Sequence, residues 1–464
     1  MIESVVIKKK KKSECHFSKD YQFIINSEGE KVSFDDPRLV FVFPEAHNSY
    51  GIRLVKDLYN HYNRKIRIAS NTDLNIIKSG RKICSGRECL ATVALAGAIV
   101  KDINENREND EITIYRAPID QHGPCQNGGW PVLWKTFSKR LNAKNVMYFV
   151  APNYRNNYMG LPMDLLALEN QYLLIGLYLI EARNALYCLA EHKTSALALF
   201  EKTTEKLITK IKDGTSALRP GLINWAKEIA KIPRKMEVGE APKVLVIGGL
   251  NLMFDYYPIE EFFLNRGIIP KIVDFSESIL LILSEPSIRF GFKKGLIKPE
   301  DQFDFTKIEE SKLNANELKE LNKAKRSKMK IDFLESQCKS FRKAMRRSNL
   351  LFDSSSEIAK FLIKGHSFST LNSCTETTTI IGRYLDSIEK GIYDGVVNLG
   401  TFNCQPAMNS QIIIRPLANR SNIPYAAVDC EGPWLSSNQQ RLLETIVMQA
   451  KRLRNKKNRE LNEK

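Results

Sequence analysis

Three cysteines stand where short apolar strands run out into turns: Cys89 in Ser85-Gly86-Arg87-Glu88-Cys89-Leu90, Cys125 in Gly123-Pro124-Cys125-Gln126-Asn127-Gly128-Gly129, and Cys404 in Gly400-Thr401-Phe402-Asn403-Cys404-Gln405-Pro406. A thiolate is a soft ligand suited to iron–sulfur clusters, copper(I) or zinc, and clusters draw their cysteines from several loops. A single cysteine is more often a small buried hydrophobe. Placement at strand ends, with glycine or proline alongside, turns the reading of all three toward a shared ligand. Cys89 precedes an apolar helical run, whose positive N-terminal end favours a thiolate. The glycines around Cys125 would let backbone approach a bulky group closely.

The other cysteines carry weaker signals. Cys84 and Cys89 have a spacing found in some zinc sites, but no second close pair or Cys/His cluster follows, which argues against a zinc ribbon. Cys15, Cys188, Cys338, Cys374 and Cys430 read as structural, Cys374 and Cys430 being the two that could lie near the site. The run Lys-Val-Leu-Val-Ile-Gly-Gly at 243–249 lacks the full dinucleotide pattern and reads as a plain strand and turn. No G-x-x-x-x-G-K-[ST] phosphate loop occurs.

The elements that must position these residues follow an alternating pattern. After a lead segment, residues 1–36, with a hairpin signal at 21–34, a β/α alternation sets in from residue 37. Strand-like runs at 39–43, 65–69, 111–116 and 145–150 are separated by helical spacing at 50–59, 90–103 and 130–141. Residues 160–235 lose the strand signal and read as a helical bridge. Strands at 243–247, 270–273, 396–399 and 425–428 then define a second lobe, 236–464, interrupted by a charged helical excursion at 304–347. The expected architecture is α/β: two or more flavodoxin-like, doubly wound lobes with parallel sheets, with Cys89 and Cys125 in the first lobe (37–159) and Cys404 in the second. No internal repeat is evident.

Composition narrows the class further. The chain has 464 residues, nine cysteines and a formal charge of +17. Residues 1–12, 321–347 and 451–464 account for the whole excess of positive charge. These blocks hold few aromatic residues on which bases could stack, so they read as solvated faces rather than a nucleic-acid surface. The odd, irregularly spaced cysteines fit a reducing cytoplasm. The longest apolar runs fall short of the ~20 residues of a membrane span.

Taken together, the motifs resemble a known family. Asp36-Pro37-Arg38, Ser-Gly-Arg-Glu-Cys at 85–89, Gly-Pro-Cys at 123–125, Glu-Ala-Pro-Lys-Val at 240–244 and Asp-Gly-Val-Val-Asn-Leu-Gly-Thr-Phe-Asn-Cys-Gln-Pro at 394–406 occur in the order of the 2-hydroxyacyl-CoA dehydratase-like module found in the C-terminal part of large CoA activase proteins. The resemblance runs from about residue 36 to 453. It implies a 4Fe-4S or double-cubane iron–sulfur cluster held by Cys89, Cys125 and Cys404, with Glu376 as an acidic catalytic residue. It also implies a separate ATP-hydrolysing activase that delivers an electron, and an acyl-CoA-like substrate for a difficult reduction or radical dehydration. Three departures bear on the substrate or partner: Leu90-Ala91 replaces Leu-Pro, Gln126-Asn127-Gly128-Gly129 replaces an Arg-Phe-Gly-Gln run, and Gln405 replaces Met. The alternative is a non-catalytic structural or electron-storing subunit, or a remnant that has lost its cluster. Both basic ends, 1–12 and 455–464, are expected to be dispensable for folding.

Overall fold

The structure, a computed structural model, describes residues 14–20, 22–43, 49–116, 125–148, 161, 163–211, 215–248, 257–273, separate positions within 277–296, 304–353, 357–371 and 375–463. The lysine run at 8–12, Gly123-Pro124, Gly249 and Cys374 lie outside these.

A small antiparallel sheet comes first, of β1 (His16–Phe17), β2 (Ile24–Ile25) and β3 (Lys31–Val32). It is pinned to the first lobe by a reciprocal pair of bonds, Ser27 N–H to Asn145 Oδ1 at 2.9 Å and Asn145 N–H to Ser27 Oγ at 2.8 Å. The first lobe contains β4 (Leu39–Phe43), α1 (Ser49–His61), β5 (Lys65–Ile68), α2 (Leu74–Ile83), α3 (Leu90–Glu105), β6 (Ile112–Tyr115), α4 (Trp130–Arg140) and β7 (Val146–Tyr148). Its four strands are parallel, in the order β5-β4-β6-β7. Helices α5 (Met163–Leu189), α6 (Lys193–Ile211) and α7 (Thr215–Ile229) follow.

The second lobe contains β8 (Lys243–Ile247), α8 (Tyr257–Leu264), β9 (Ile269–Ile272), α9 (Ala315–Met345), α10 (Ile358–His366), α11 (Glu376–Lys390), β10 (Gly395–Thr401), α12 (Gln405–Ala418), β11 (Tyr425–Cys430) and α13 (Ser437–Asn462). Its parallel sheet runs β9-β8-β10-β11. Every residue of β4, β6, β8, β9 and β10 is buried, as expected of parallel strands covered on both faces. The fold is therefore the doubly wound α/β class, with two four-stranded parallel lobes.

The two lobes repeat one another, which the residues alone did not reveal. Both sheets have the first strand inside the second and the third strand beside the first. Both crossovers from the second to the third strand carry a pair of helices, α2 with α3 and α10 with α11, and in the second lobe α9 is inserted ahead of that pair.

Each helix pair crosses at backbone contact. A Cβ on Gly80 would collide with the carbonyl of Val93, and one on Gly97 with that of Ile76. In the second lobe, a Cβ on Gly365 would collide with the carbonyl of Thr378, and one on Gly382 with that of Phe361.

The lobes share a core. Val40, Ile76, Ala94 and Trp134 of the first pack in the same buried cluster as Val244, Phe263, Val397 and Leu443 of the second. Helix α5 ties further elements in. Among the described residues one stretch, Ala167–Leu189, is long and apolar enough to cross a membrane, but 78% of its most apolar window is buried in the protein. It also carries Glu181, whose carboxylate accepts from Lys271 Nζ of β9 at 3.0 Å, Arg342 Nη2 of α9 at 2.8 Å, and the Phe352 and Asp353 amides at 2.8 and 3.0 Å. A helix with a fully buried carboxylate that accepts from two cationic side chains and two backbone amides is a core helix.

The basic C-terminal segment is docked, contrary to the sequence expectation. Asp394, fully buried ahead of β10, receives Arg454 Nε at 2.9 Å and Lys457 Nζ at 3.0 Å from α13, and the Lys243 amide at 3.0 Å. Asn458 Nδ2 also bonds the Glu240 carbonyl at 3.0 Å. Charge made this stretch look like a solvated end, whereas two of its cations neutralise one interior carboxylate.

Arg454→Ala should therefore cost on the order of 3 kcal/mol, because it strips a buried carboxylate of its closest partner. Deleting 455–464, which removes Lys457 and Asn458, should also lower stability. Urea unfolding followed by circular dichroism checks both, and unchanged midpoints would return the segment to the status of a free tail.

Candidate functional site

Each candidate cysteine occupies the residue just before a helical turn. Cys89 is the N-cap of α3 and Cys404 the N-cap of α12. Cys125 precedes a 3-10 turn, Gln126–Gly129, that runs directly into α4. None of the three uses its side chain to cap its helix, and the Cys125 thiol instead donates to Asn127 Oδ1 at 3.0 Å. Cys125 and Cys404 hold equivalent places, each following the third strand of its lobe. The carboxyl ends of the first and third strands flank the crevice where open α/β sheets bind ligands.

The loops are held together by bonds that cross between them. The Cys89 amide donates to Gln126 Oε1 at 2.7 Å, and Gln126 Nε2 donates to the Arg87 carbonyl at 3.3 Å, so the residue after Cys125 grips the Cys89 loop on both sides. Across the lobes, the Leu90 amide donates to the Phe402 carbonyl at 3.1 Å. The Ser85–Glu88 turn closes on itself. Glu88 accepts from the Ser85 amide at 3.0 Å, the Ser85 hydroxyl at 2.9 Å and the Arg87 amide at 3.1 Å, with Gly86 supplying a positive φ of 88°. Although partial burial opposes ionisation, these donors hold the Glu88 carboxyl below its ordinary range.

Electrostatics show that the three sulfurs share one neighbourhood. Burial pushes the Cys404 thiol up to about 12, and the Glu376 carboxylate, Cys89 and Cys125 add to the rise. Glu376 opens α11 and is itself buried. Thus all four residues singled out by the sequence come together, two from each lobe. Cys84, at the end of α2, is pushed up to about 12 by burial, with Glu88 and Cys89 adding. Cys430 ends β11, opposite Thr401 in the ladder, and donates to the Gly432 carbonyl at 3.0 Å. Cys188 and Cys338 are buried together in a different core cluster.

Threonines went unremarked in the sequence reading. Thr92 Oγ1 lies 3.2 Å from Cys89 Sγ and accepts from Trp130 Nε1, the first residue of α4, at 2.8 Å. The indole N–H can only donate, so the threonine accepts it, while between Thr92 and the Cys89 thiol either group can be the donor. Thr377 Oγ1 donates to the Pro406 carbonyl of α12 at 3.3 Å. The available signal was Cys-x-x-Thr at 89–92 and 374–377. The Thr401 hydroxyl, buried at the end of β10, makes no hydrogen bond among the described residues.

The fold defines a two-lobed, doubly wound α/β protein in which the loops carrying Cys89, Cys125 and Cys404 are bonded to one another. No protein-family model matches the chain, and no curated protein matches it.

Thr92→Val should orphan the buried Trp130 N–H and cost about 1–3 kcal/mol. Adding Trp130→Phe should recover part of that loss, because the unsatisfied donor disappears. Thermal melts of the single and double variants decide this: strictly additive losses would mean that the two side chains are not coupled.

Proposed function

We propose that the chain is an iron–sulfur protein of the 2-hydroxyacyl-CoA dehydratase and activase type, which accepts an electron from an ATP-dependent activase and uses it on an acyl-CoA-like substrate in the cytoplasm. The observation that carries this reading is that the loops of Cys89, Cys125 and Cys404 are bonded to one another across two lobes, the Cys89 amide to Gln126 Oε1 at 2.7 Å and the Leu90 amide to the Phe402 carbonyl at 3.1 Å.

Among the described residues no three His, Cys, Asp or Glu side chains form a group that could hold a metal ion. The cluster reading is therefore carried by the resemblance of the three cysteine motifs and by the bonds between their loops. The unpartnered Thr401 hydroxyl supplies a donor at the same strand end.

In this reading Cys89, Cys125 and Cys404 hold a 4Fe-4S or double-cubane cluster, which supplies single electrons at low potential. The surrounding residues have separate tasks. Gln126 and the Leu90–Phe402 bond keep the loops in register, so the thiolates are presented without reorganisation. Thr92, which accepts from Trp130, is hydrogen-bonded to the Cys89 sulfur, and such bonds tune a cluster's potential. Glu376, buried beside Cys404, is the candidate acid–base group for a substrate proton.

Changing Cys89, Cys125 or Cys404 to Ser should abolish or sharply reduce the brown chromophore and the iron content of anaerobically purified protein, whereas Cys188→Ser and Cys338→Ser should not. Serine is a poor substitute for a soft thiolate. Iron and acid-labile sulfide assays read the outcome, and full retention in all three variants would end the assignment.

The chain has no phosphate loop, so ATP hydrolysis is assigned to a separate activase docking near the three cysteine loops. ATP-dependent reduction, followed by absorbance and paramagnetic resonance, should require that partner. Stoichiometric reduction by the isolated chain with ATP would refute this division of labour. Absence of iron altogether would favour a structural or remnant role.

A further inference from the structure

Helix α9 has two faces with different surroundings. Its inward residues pack into the protein, Leu321, Ala324 and Ile331 in the cluster that holds Phe361 of α10, and Cys338, Phe341 and Met345 in the cluster that holds Tyr178 of α5. The outward line advances in alternate steps of three and four residues, the spacing that stacks side chains along one helix face. It runs through Arg326, Met329, Phe333, Ser336, Ser340 and Lys343. The core is already served from the other side, yet Met329 is 70% exposed and Phe333 49%. A single exposed apolar residue is ordinary. Two large ones a turn apart, within a stretch that holds ten Lys/Arg against two acids (321–347), call for a reason.

The charges around this pair are biased in one direction. None of the four acids of α9 lies on the outward line, and each is engaged elsewhere. Glu317 serves the capping box and Lys294, Glu320 pairs with Lys323, Asp332 pairs with Lys328, and Glu335 accepts from the Ile358 amide. By contrast, Lys319, Arg326, Lys343, Arg346 and Arg347 form no ion pair among the described residues. Arg326 and Lys343 bracket the apolar pair on the line itself, and Arg347 follows in the turn Arg346–Ser348. From Arg326 to Lys343 the face extends about 25 Å at the helical rise.

We propose that the outward face of α9 docks the protein on an anionic phospholipid surface. Phe333 and Met329 enter the boundary between headgroups and acyl chains, and the unpaired cations meet lipid phosphates. Charge complementarity selects this occupant. Cations without fixed acidic partners suit headgroups that rearrange beneath them, and an aromatic side chain set among Lys and Arg is the composition of helices that lie in a bilayer interface. A folded acidic protein would be met by a wider apolar centre with a polar rim, whereas two side chains supply all the large apolar surface here. Nucleic acid would need more rings than Phe333 to stack on. The contact is peripheral and does not involve the apolar stretch of α5, which is buried. It goes beyond the iron–sulfur reading and stands without it.

The test is flotation of the full-length chain with vesicles of mixed phosphatidylglycerol and phosphatidylcholine, and with vesicles of phosphatidylcholine alone. The chain should float with the first and not with the second, and added salt should release it. Residues 1–12 and 451–464 are also basic, so the decision rests on the face itself. Phe333→Trp should give fluorescence that shifts to the blue and resists acrylamide quenching on the anionic vesicles, read as a difference from the wild-type chain and its four tryptophans. Arg326→Glu should weaken binding by roughly tenfold or more. Met329→Ser combined with Phe333→Ser should weaken it as well, with circular dichroism confirming an unchanged fold. Full binding by these variants, with the reporter at 333 still open to acrylamide, would overturn the proposal by placing the lipid contact elsewhere. Absence of flotation would overturn it outright. A shift of the reporter with polyglutamate but not with vesicles would assign the face to an acidic protein instead.

Discussion

Everything at the crevice depends on two places where helices touch backbone to backbone. Glycine at 80, 97, 365 and 382 allows α2 to cross α3, and α10 to cross α11, with no side chain between them. Packed interiors admit no slack at such crossings, so the starting points of α3 and α11 are set by contacts one to two turns away. Cys89 and Glu376 stand at those starting points. The chemistry at the mouth is therefore positioned by carbonyl contacts in the interior, and the loops only complete what the crossings impose.

A second layer of constraint comes from buried charge. Glu181 on α5 gathers Lys271, Arg342 and two backbone amides, joining the long core helix to the second lobe and to α9. In the first lobe, Arg67 on β5 meets Asp102 at 2.7 Å and Glu111 at 2.8 Å. Arg67 and Lys271 are each the third residue of the second strand in their sheets, so both lobes place a cation at the same point and satisfy it differently. Arrangements of this kind contribute geometric definition more than net stability, since desolvation offsets much of the attraction.

Much of the strand pattern was legible because buried parallel strands are written as continuous apolar runs. The run at 243–247 coincides with β8 to the residue, and that at 39–43 with β4. The cysteine grouping was legible in part, since Cys125 and Cys404 each follow a buried strand, but Cys89 stands between the helices α2 and α3 and not at a strand end as its loop suggested, because glycine and polar residues break helices and strands alike. What escaped notice was carried by residues that leave little trace in hydropathy. The repeat is held by glycines and carbonyls, and the helix around them differs, apolar at 93–100 and threonine-rich at 377–379. Gln126 and Thr92 are ordinary polar residues whose partners lie on other elements. The end of α13 was misread because lysine and arginine dominate it, and sequence does not say which cations find an interior carboxylate.

The docking of α13 has a consequence for the order in which the molecule can assemble. Strands β4 to β7 and the helices between them are complete before residue 149 is made, but the face of that lobe that packs on Val244, Phe263, Val397 and Leu443 is covered only when the second lobe exists. In the second lobe Asp394 meets Arg454 from sixty residues further along the chain. The shared core and the bond between the Leu90 amide and the Phe402 carbonyl therefore belong to a late stage of synthesis, after both lobes and the last helix are made.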